Sequence, residues 1–255
     1  MKSLRMNDAA VNKYYSQHPP KPQFSYFNYA GKKFFYASSG DSTKPMLFLI
    51  HGAPGAWPGY KEFLSDSLLL VKYQIVVPDR AGYDKSDKAV VSIEEQAKIL
   101  YEIIKIKKPL EVVLFGRSYG AAIAARMAAD FPKIIKQLIL VSPACDPSTE
   151  KFWWFSKPVN TKFVRFFLPT YINTATDEKF SHVAELKKLL PYWQKITCPV
   201  TIMQGGKDWV IETTNGQFVA DALKNAPHRL IYLPENGHGI TTDRYELVKD
   251  ILLEK

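Results

Sequence analysis

Short apolar runs alternate with longer segments of mixed polarity along most of the chain. Two aromatic-rich runs, residues 24–29 and 32–36, flank Ala30-Gly31, and this arrangement predicts a β-hairpin. Six further strands are predicted from short apolar runs, at residues 46–50, 74–77, 110–115, 137–141, 200–203 and 229–233. Because helix-length segments alternate with these runs, the pattern predicts an α/β fold, a mostly parallel sheet covered by helices on both faces.

One helix is marked clearly by its own residues. Ser92 and Glu95 have the spacing of a capping box, in which each side chain satisfies a free backbone N–H of the first turn. Apolar residues then recur every three or four positions, at Ile93, Ala97, Leu100 and Ile104. This stripe predicts an amphipathic helix that packs on the sheet.

A long insertion interrupts the alternation between residues 144 and 197. A simple crossover between parallel strands needs far fewer residues, so we expect a small helical cap here. Part of the insertion is predicted to be helical after Asp177-Glu178, with one apolar face formed by Phe180, Val183, Leu186 and Leu190.

The insertion is rich in aromatic residues, and two interpretations of them stay open. Eleven of its residues are Phe, Tyr or Trp. They either attach the insertion to the rest of the protein, or they form a lid over an apolar pocket. In the second interpretation Trp153 and Trp154 are the candidate substrate-binding residues.

The composition is that of an ordinary globular protein. The chain has 255 residues, of which 46% are hydrophobic, 13% aromatic and 23% charged. Chains of this length routinely form one α/β domain, and these proportions exclude a disordered or low-complexity protein. No apolar run approaches the roughly 18 to 20 residues that span a bilayer, so we expect no membrane span.

The net charge of +9 raises the question of a nucleic acid or an anionic membrane as partner. Residues 1–40 hold six Lys or Arg against one Asp, so more than half of the excess lies near the N-terminus. No nucleic-acid-binding motif accompanies it, so we expect a basic leader segment at residues 1–23 and no nucleic-acid partner. Residues 1–16 lack the apolar centre of an intact signal peptide, and a leader removed earlier stays an alternative.

The cysteines and histidines do not form a metal-binding or redox motif. Cys145 and Cys198 lack CxxC spacing. They are predicted at opposite edges of a parallel sheet, beyond the ~7 Å at which a disulfide can form, so we expect both to stay reduced. The five histidines lack spacings such as H-x-x-x-H, so we predict no metal site.

The apolar run 110–115 leads into Gly116-Arg117-Ser118-Tyr119-Gly120 and then into an alanine-rich helical segment. In this strand, G-x-S-x-G, helix arrangement, the serine occupies a tight turn that exposes its Oγ above the sheet. The flanking glycines let strand and helix approach each other closely. We therefore predict that Ser118 is a nucleophile.

A serine nucleophile needs a general base and an acid that orients the base. Asp208 follows the predicted strand 200–203, and His238 lies in a turn after the last predicted strand. The chain order Ser118, Asp208, His238 is the order of nucleophile, acid and base on such sheets. Asp146, after the preceding strand, is the alternative acid, and His51 is expected to be a structural turn residue.

An acyl-transfer site also needs two backbone N–H groups that stabilise the oxyanion. Tyr119 directly follows the predicted nucleophile and would supply one of them. The other is expected from the loop after the strand 46–50, where Ala53 is the candidate.

Five sequence motifs, in the order in which they occur along the chain, resemble those of the α/β-hydrolase superfamily, in particular of its lid-bearing serine hydrolases. The motifs are residues 51–55 (HGAPG), residues 78–86 (PDRAGYDKS), the serine turn, and the turns of Asp208 and His238. The resemblance implies a core at 24–143 and 198–255, a cap at 144–197, and no cofactor. Serine at position 118 separates the chain from the branches that attack through a carboxylate, and Arg117 stands where many relatives have His.

These observations together predict a serine hydrolase that acts on a small-molecule substrate. The expected reaction is hydrolysis of an ester, or less favourably an amide, of small to medium apolar groups through an acyl-serine intermediate. Two alternatives stay open. One is other chemistry on the same triad, such as C–C bond hydrolysis or cofactor-free peroxidation, and the other is a ligand-binding receptor with little turnover. The natural substrate, the oligomeric state and the compartment are not predicted.

Overall fold

An eight-stranded sheet runs through the whole protein. The computed structural model describes residues 5–152 and 156–254. The strands are β1 (Gln23–Tyr29), β2 (Lys32–Ser39), β3 (Met46–Ile50), β4 (Gln74–Pro78), β5 (Val112–Arg117), β6 (Ile135–Val141), β7 (Val200–Gly205) and β8 (His228–Leu233), in the spatial order β1-β2-β4-β3-β5-β6-β7-β8. Strand β2 is antiparallel to both neighbours, β1 and β4, and every other adjacent pair is parallel. The prediction of a hairpin leading into a mostly parallel sheet is confirmed.

Helices cover both faces of this sheet. They are α1 (Asp8–Gln17), α2 (Ser67–Lys72), α3 (Ile93–Lys107), α4 (Tyr119–Asp130), α5 (Ser156–Val159), α6 (Lys162–Phe167), α7 (Thr170–Leu189), α8 (Asn215–Ala222), α9 (Ile240–Asp243) and α10 (Tyr245–Leu253). Helix α3 begins at the predicted cap, because the Ser92 hydroxyl oxygen accepts from the Glu95 N–H at 3.2 Å. None of the helices in the described ranges combines the length and hydropathy that a bilayer crossing requires.

Alternating side chains of the central strands form two separate cores. In β3, Met46, Phe48 and Ile50 pack with α3, α4 and α8, whereas Leu47 and Leu49 pack with α1, α2 and α10. All five side chains are fully buried. This continuous apolar run is typical of a parallel strand that is covered on both faces.

Strand ends differ from the sequence prediction by up to three residues, and one helix was not predicted. Strand β5 begins at Val112, which pairs with Met46, and Leu110 lies before this first paired position with 83% of its surface exposed. The N-terminal segment contains a helix that was not predicted, α1. Its Val11 and Tyr15 are buried against the rest of the protein, although most other residues of the helix are polar or small.

The predicted apolar face of the cap helix is correct only in part, because Leu186 is buried but two of its other members are not. Helix α7 begins at Thr170 rather than after Glu178, and Phe180 and Leu190 are exposed. Its buried positions also include Glu178, His182 and Glu185, which are not part of the predicted face. Glu178 and Glu185 accept from Arg80 and from the Ile93 N–H of the core, and His182 contacts Glu150 of the insertion. A polar stripe of the helix therefore faces inward.

Cys145 and Cys198 are both free thiols, and both are buried. Burial raises the pKa of each thiol, to about 11 for Cys198. Thiols that stay protonated are poor nucleophiles, so neither cysteine has the properties of a reactive residue.

Candidate active site

The turn between β5 and α4 places Ser118 above the sheet. Ser118 has φ +53° and ψ −124°, a conformation that a side-chain-bearing residue adopts only at a cost. The flanking glycines make the turn possible, because a Cβ at Gly116 would lie 2.7 Å from Ala121 Cα. A Cβ at Gly120 would lie 2.5 Å from the Ile50 carbonyl oxygen. The arrangement is that of a nucleophile elbow.

Two loops at the same edge of the sheet bring His238 and Asp208 to this serine. The distance from Ser118 Oγ to His238 Nε2 is 3.0 Å, and His238 Nδ1 lies 2.7 Å from Asp208 Oδ2. Ser118 and Asp208 are buried. The three side chains form one hydrogen-bonded row, although 120 positions separate the serine from the histidine in the sequence.

The carboxylate of Asp208 is held in its ionised form. Burial alone would raise its pKa, but the hydrogen bond and charge of His238 lower it, as do the N–H groups of Ile211 and Val210. Those two N–H groups donate to Oδ1, which leaves Oδ2 for His238. The alternative acid, Asp146, instead accepts from the N–H and hydroxyl of Ser148.

The loop after β3 lies directly against the serine. A Cβ at Gly52 would come within 3.0 Å of Ser118 Cβ, so the backbone passes the nucleophile at close range. The next N–H is that of Ala53, and Tyr119 supplies the N–H after Ser118. Within the described ranges, neither of these two N–H groups donates a hydrogen bond to the protein.

His51 does not take part in the row of Ser118 and His238. Its Nε2 accepts from the Arg80 N–H at 3.0 Å, and its Nδ1 lies 2.8 Å from the Gly52 carbonyl oxygen. Burial and the charge of Arg80 hold the pKa of His51 well below its usual value. The imidazole is therefore neutral, with its proton on Nδ1, and it braces the loop as a structural residue.

The Arg80 guanidinium joins this loop to the cap, and the sequence analysis missed it. It is fully buried, and it donates to the carbonyl oxygens of His51 at 2.9 Å and Gly52 at 3.0 Å. Its other contacts are a two-point ion pair with Glu178 of α7 and a hydrogen bond to Gln96 of α3. Burial alone would lower the pKa of Arg80, but Glu178 and the neighbouring tyrosines raise it, so the guanidinium stays charged.

Further cap residues lie close to the site. The ring of His182 in α7 stacks on Tyr119, with centroids 4.6 Å apart, and its Nδ1 lies 2.7 Å from Glu150. Arg117 reaches the carbonyl oxygen of His238 at 3.4 Å through Nη2. The two candidate substrate-binding residues, Trp153 and Trp154, lie outside the described residues.

Across residues 5–152 and 156–254, no three His, Cys, Asp or Glu side chains come together as a metal site would require. The groups nearest the serine are an imidazole, one carboxylate and free backbone N–H groups. These groups can transfer protons and stabilise an oxyanion without a metal ion.

Comparison with known proteins identifies the class to which this fold belongs. Residues 45–182, more than half of the chain, match the family model of the α/β-hydrolase fold. The chain belongs to this family. The predicted fold class is thereby confirmed.

Individual relatives extend over most of the chain. Lipase 1 of Psychrobacter immobilis is 32% identical, over 88% of this chain and 82% of that protein. The monoacylglycerol lipase abhd6-B of Xenopus laevis is 26% identical, over 87% of this chain and 78% of that protein. Among solved structures, an esterase from Exiguobacterium antarcticum has a TM-score of 0.71 at 20% identity, covering 90% of this chain and 97% of its own. At that identity the structural match shows the fold alone.

Proposed function

We propose that this chain hydrolyses esters of small to medium apolar acids or alcohols through an acyl-Ser118 intermediate. Membership of the family, with relatives named lipase, supports a hydrolase that acts on ester bonds. The assignment of roles to single residues is carried by one observation. Ser118 Oγ lies 3.0 Å from an imidazole nitrogen whose other nitrogen contacts a buried carboxylate.

In the proposed mechanism, His238 takes the proton of the Ser118 hydroxyl as Oγ attacks the ester carbonyl carbon. The carbonyl π electrons move to the oxygen, and Asp208 stabilises the imidazolium that forms. Collapse of this intermediate breaks the C–O bond to the alcohol, which leaves with the proton from His238. A water molecule then attacks the acyl-enzyme by the same route, which releases the acid and restores the serine.

The developing oxyanion is assigned to the N–H groups of Ala53 and Tyr119. Both belong to rigid parts of the structure, because Tyr119 begins α4 and Ala53 follows the loop braced by His51 and Arg80. The Gly52 carbonyl and the Ala53 N–H belong to the same planar peptide group. Because His51 and Arg80 donate to this carbonyl, they fix the plane of the peptide and thus the direction of the Ala53 N–H.

The aromatic cap supports an apolar substrate. Tyr119 and His182 stack on each other beside the serine. Apolar surface of this kind stabilises bound acyl or aryl groups by about 25 cal/mol per Å² that is removed from water. We therefore assign medium-chain and aryl esters as the preferred class.

Labelling and turnover of single variants test this proposal. A fluorophosphonate should modify Ser118 alone, as mapped by peptide mass spectrometry, and the labelled enzyme should be inactive toward nitrophenyl esters. Ser118→Ala should lower kcat by about 10⁵- to 10⁶-fold, and Asp208→Asn by about 10⁴-fold.

The matched control is Asp146→Asn, because Asp146 is a buried carboxylate at the same sheet edge that does not contact His238. It should leave kcat within about threefold. A larger loss from Asp146→Asn than from Asp208→Asn would refute the acid assignment. Tight ester binding without turnover would favour the receptor alternative.

A further inference from the structure

A stretch of the cap is both cationic and aromatic. Residues 151–172 contain four Lys or Arg, no Asp or Glu, and eight aromatic residues. This is a second concentration of positive charge, in addition to the one near the N-terminus. Neither the packing of the fold nor the proposed mechanism gives it a role.

Helix α6 in this stretch exposes three phenylalanines. Phe163, Phe166 and Phe167 are 76%, 83% and 69% exposed. Their rings pack edge to face on one another, with centroids 5.4 Å apart for Phe163–Phe167 and 5.2 Å for Phe166–Phe167. A contiguous exposed cluster of large aromatic residues marks an interaction surface rather than scattered apolar residues.

This helix is held in place from its other side. Arg165 forms a two-point ion pair with Asp177 of α7, and its carbonyl oxygen accepts from the Asn173 side chain. Because these contacts fix the inner side of α6, the phenylalanine rings are presented outward by a supported element.

Exposed lysines flank the phenylalanines. Lys157 and Lys162 are exposed, and in the described part of the chain neither forms a salt bridge. We call Lys157, Lys162, Phe163, Phe166 and Phe167 the cap face. It combines positive charge with apolar rings and carries no carboxylate.

This combination is what binds to an anionic lipid surface. Basic side chains are attracted to anionic headgroups, and aromatic rings enter the boundary between headgroups and acyl chains. A second copy of this chain is a worse occupant, because a symmetric contact would bring the same positive charges against each other. We propose that the cap face docks on bilayers containing anionic phospholipid, and that the site acts on esters held at that surface.

The second half of this inference rests on the proposed function, and the fold connects the two. The cap face lies on the same insertion as His182, whose ring stacks on Tyr119 next to Ser118. Docking through α6 would therefore hold the serine near the lipid surface. An ester that leaves the bilayer would then have a short path to the site.

Vesicle binding of the full-length Ser118→Ala variant tests the docking without turnover. We expect it to sediment with phosphatidylcholine vesicles that contain phosphatidylglycerol, and much less with phosphatidylcholine alone. The double variant Lys157→Glu/Lys162→Glu should bind roughly 25-fold more weakly, from about fivefold for each lysine. Phe166→Ser should cost about tenfold, since a ring that enters the boundary region is partly removed from water.

Matched controls come from the amino-terminal ends of the central strands, at the end of the sheet opposite to Ser118. Leu110 is as exposed as Phe166, at 83%, and Leu110→Ser should leave binding unchanged. Lys133 and Lys136 are exposed beside the start of β6, and Lys133→Glu/Lys136→Glu should change binding less than twofold. Equal losses in the control and cap-face variants would show general attraction by the net charge and would overturn the proposal.

Two further outcomes would overturn it. One is the absence of binding to anionic vesicles by a folded protein. The other is a dimer, detected by light scattering, that the cap-face variants convert to monomer, because a second copy would then cover the face.

The assays also separate this inference from the proposed function. If the wild-type protein hydrolyses dissolved nitrophenyl esters but does not bind vesicles, only the docking is wrong. If it binds vesicles and hydrolyses nothing, only the proposed function is wrong. With both correct, Phe166→Ser should keep its activity on dissolved esters and lose about tenfold on esters carried in anionic vesicles.

Discussion

Arg80→Lys should slow hydrolysis although residue 80 is not part of the Ser118, His238 and Asp208 row. The arginine donates through Nε to the His51 carbonyl and through Nη2 to the Gly52 carbonyl, and it pairs with Glu178. A lysine keeps the positive charge. Its single ammonium group on a flexible side chain cannot make all three contacts of the planar guanidinium at once.

The magnitude follows from what the lysine leaves in place. Complete removal of one oxyanion donor costs about 10²- to 10³-fold in kcat. In Arg80→Lys the Ala53 N–H is still present, and His51 still contacts the Gly52 carbonyl, so the donor is tilted rather than lost. We expect kcat to fall by about 10- to 100-fold, which is about 1.4 to 2.8 kcal/mol of transition-state stabilisation. KM should change less than threefold, since the oxyanion exists only after attack.

The assay compares kcat and KM for a nitrophenyl ester with the urea midpoint of unfolding. The control is Arg126→Lys, because Arg126 is also buried and paired, with Asp130 and Glu94, but lies two turns along α4. Both variants should lose stability, by about 1 to 3 kcal/mol for weakened charged hydrogen bonds. Only Arg80→Lys should lose kcat.

A folded Arg80→Lys enzyme with wild-type kcat would refute the reasoning. It would mean that His51 alone suffices to orient the Ala53 peptide. Equal losses of kcat in both lysine variants would also refute it, since the effect would then follow stability rather than the oxyanion loop.

Two other predictions concern pH and metal ions. The pKa of His51 is depressed in the folded protein, so below about pH 6.5 the unfolded chain takes up a proton that the folded state does not, and stability falls with falling pH. His51→Gln should reduce that slope by up to about 1.4 kcal/mol per pH unit, measured by urea unfolding between pH 5 and about 7, with the exposed His228→Gln as control. Burial raises the pKa of Asp79, which gives a slope of opposite sign, but this contribution cancels between variant and wild type. Dialysis against EDTA at constant pH should leave kcat/KM within about twofold, because a serine, histidine and aspartate mechanism uses no ion; strong loss restored by a divalent cation would contradict it.

The sheet was predictable because its strands are short apolar runs with helix-length spacers. Predicted and observed strands overlap throughout, their ends differ by up to three residues, and β3 agrees at both ends. The proximity of Ser118, Asp208 and His238 was predictable for a related reason. Each lies in the loop or turn that follows a strand, and the carboxyl ends of parallel strands meet at one edge of the sheet.

The cap helix was not predictable by the same rule. Hydrophobic periodicity assigns polar residues to solvent, but Glu178 is fully buried because Arg80, 98 positions earlier, receives it. The available signal was a polar stripe at helical spacing, formed by Glu178, His182 and Glu185. It was combined with an arginine shortly after a largely apolar strand, β4. Such a pair is invisible to local patterns, since each charge is unfavourable in the core until the other is present.

The ion pair between α7 and the core limits how substrate can reach Ser118. Withdrawing α7 as a unit would separate Glu178 from Arg80 and leave two charges without partners. Breaking a buried pair costs about 3 to 5 kcal/mol, so such an open state would be populated by roughly one molecule in a few hundred to a few thousand. Entry by that route would restrict every catalytic cycle to this rare state. Helix α7 therefore acts as a fixed wall of the site and not as a gate.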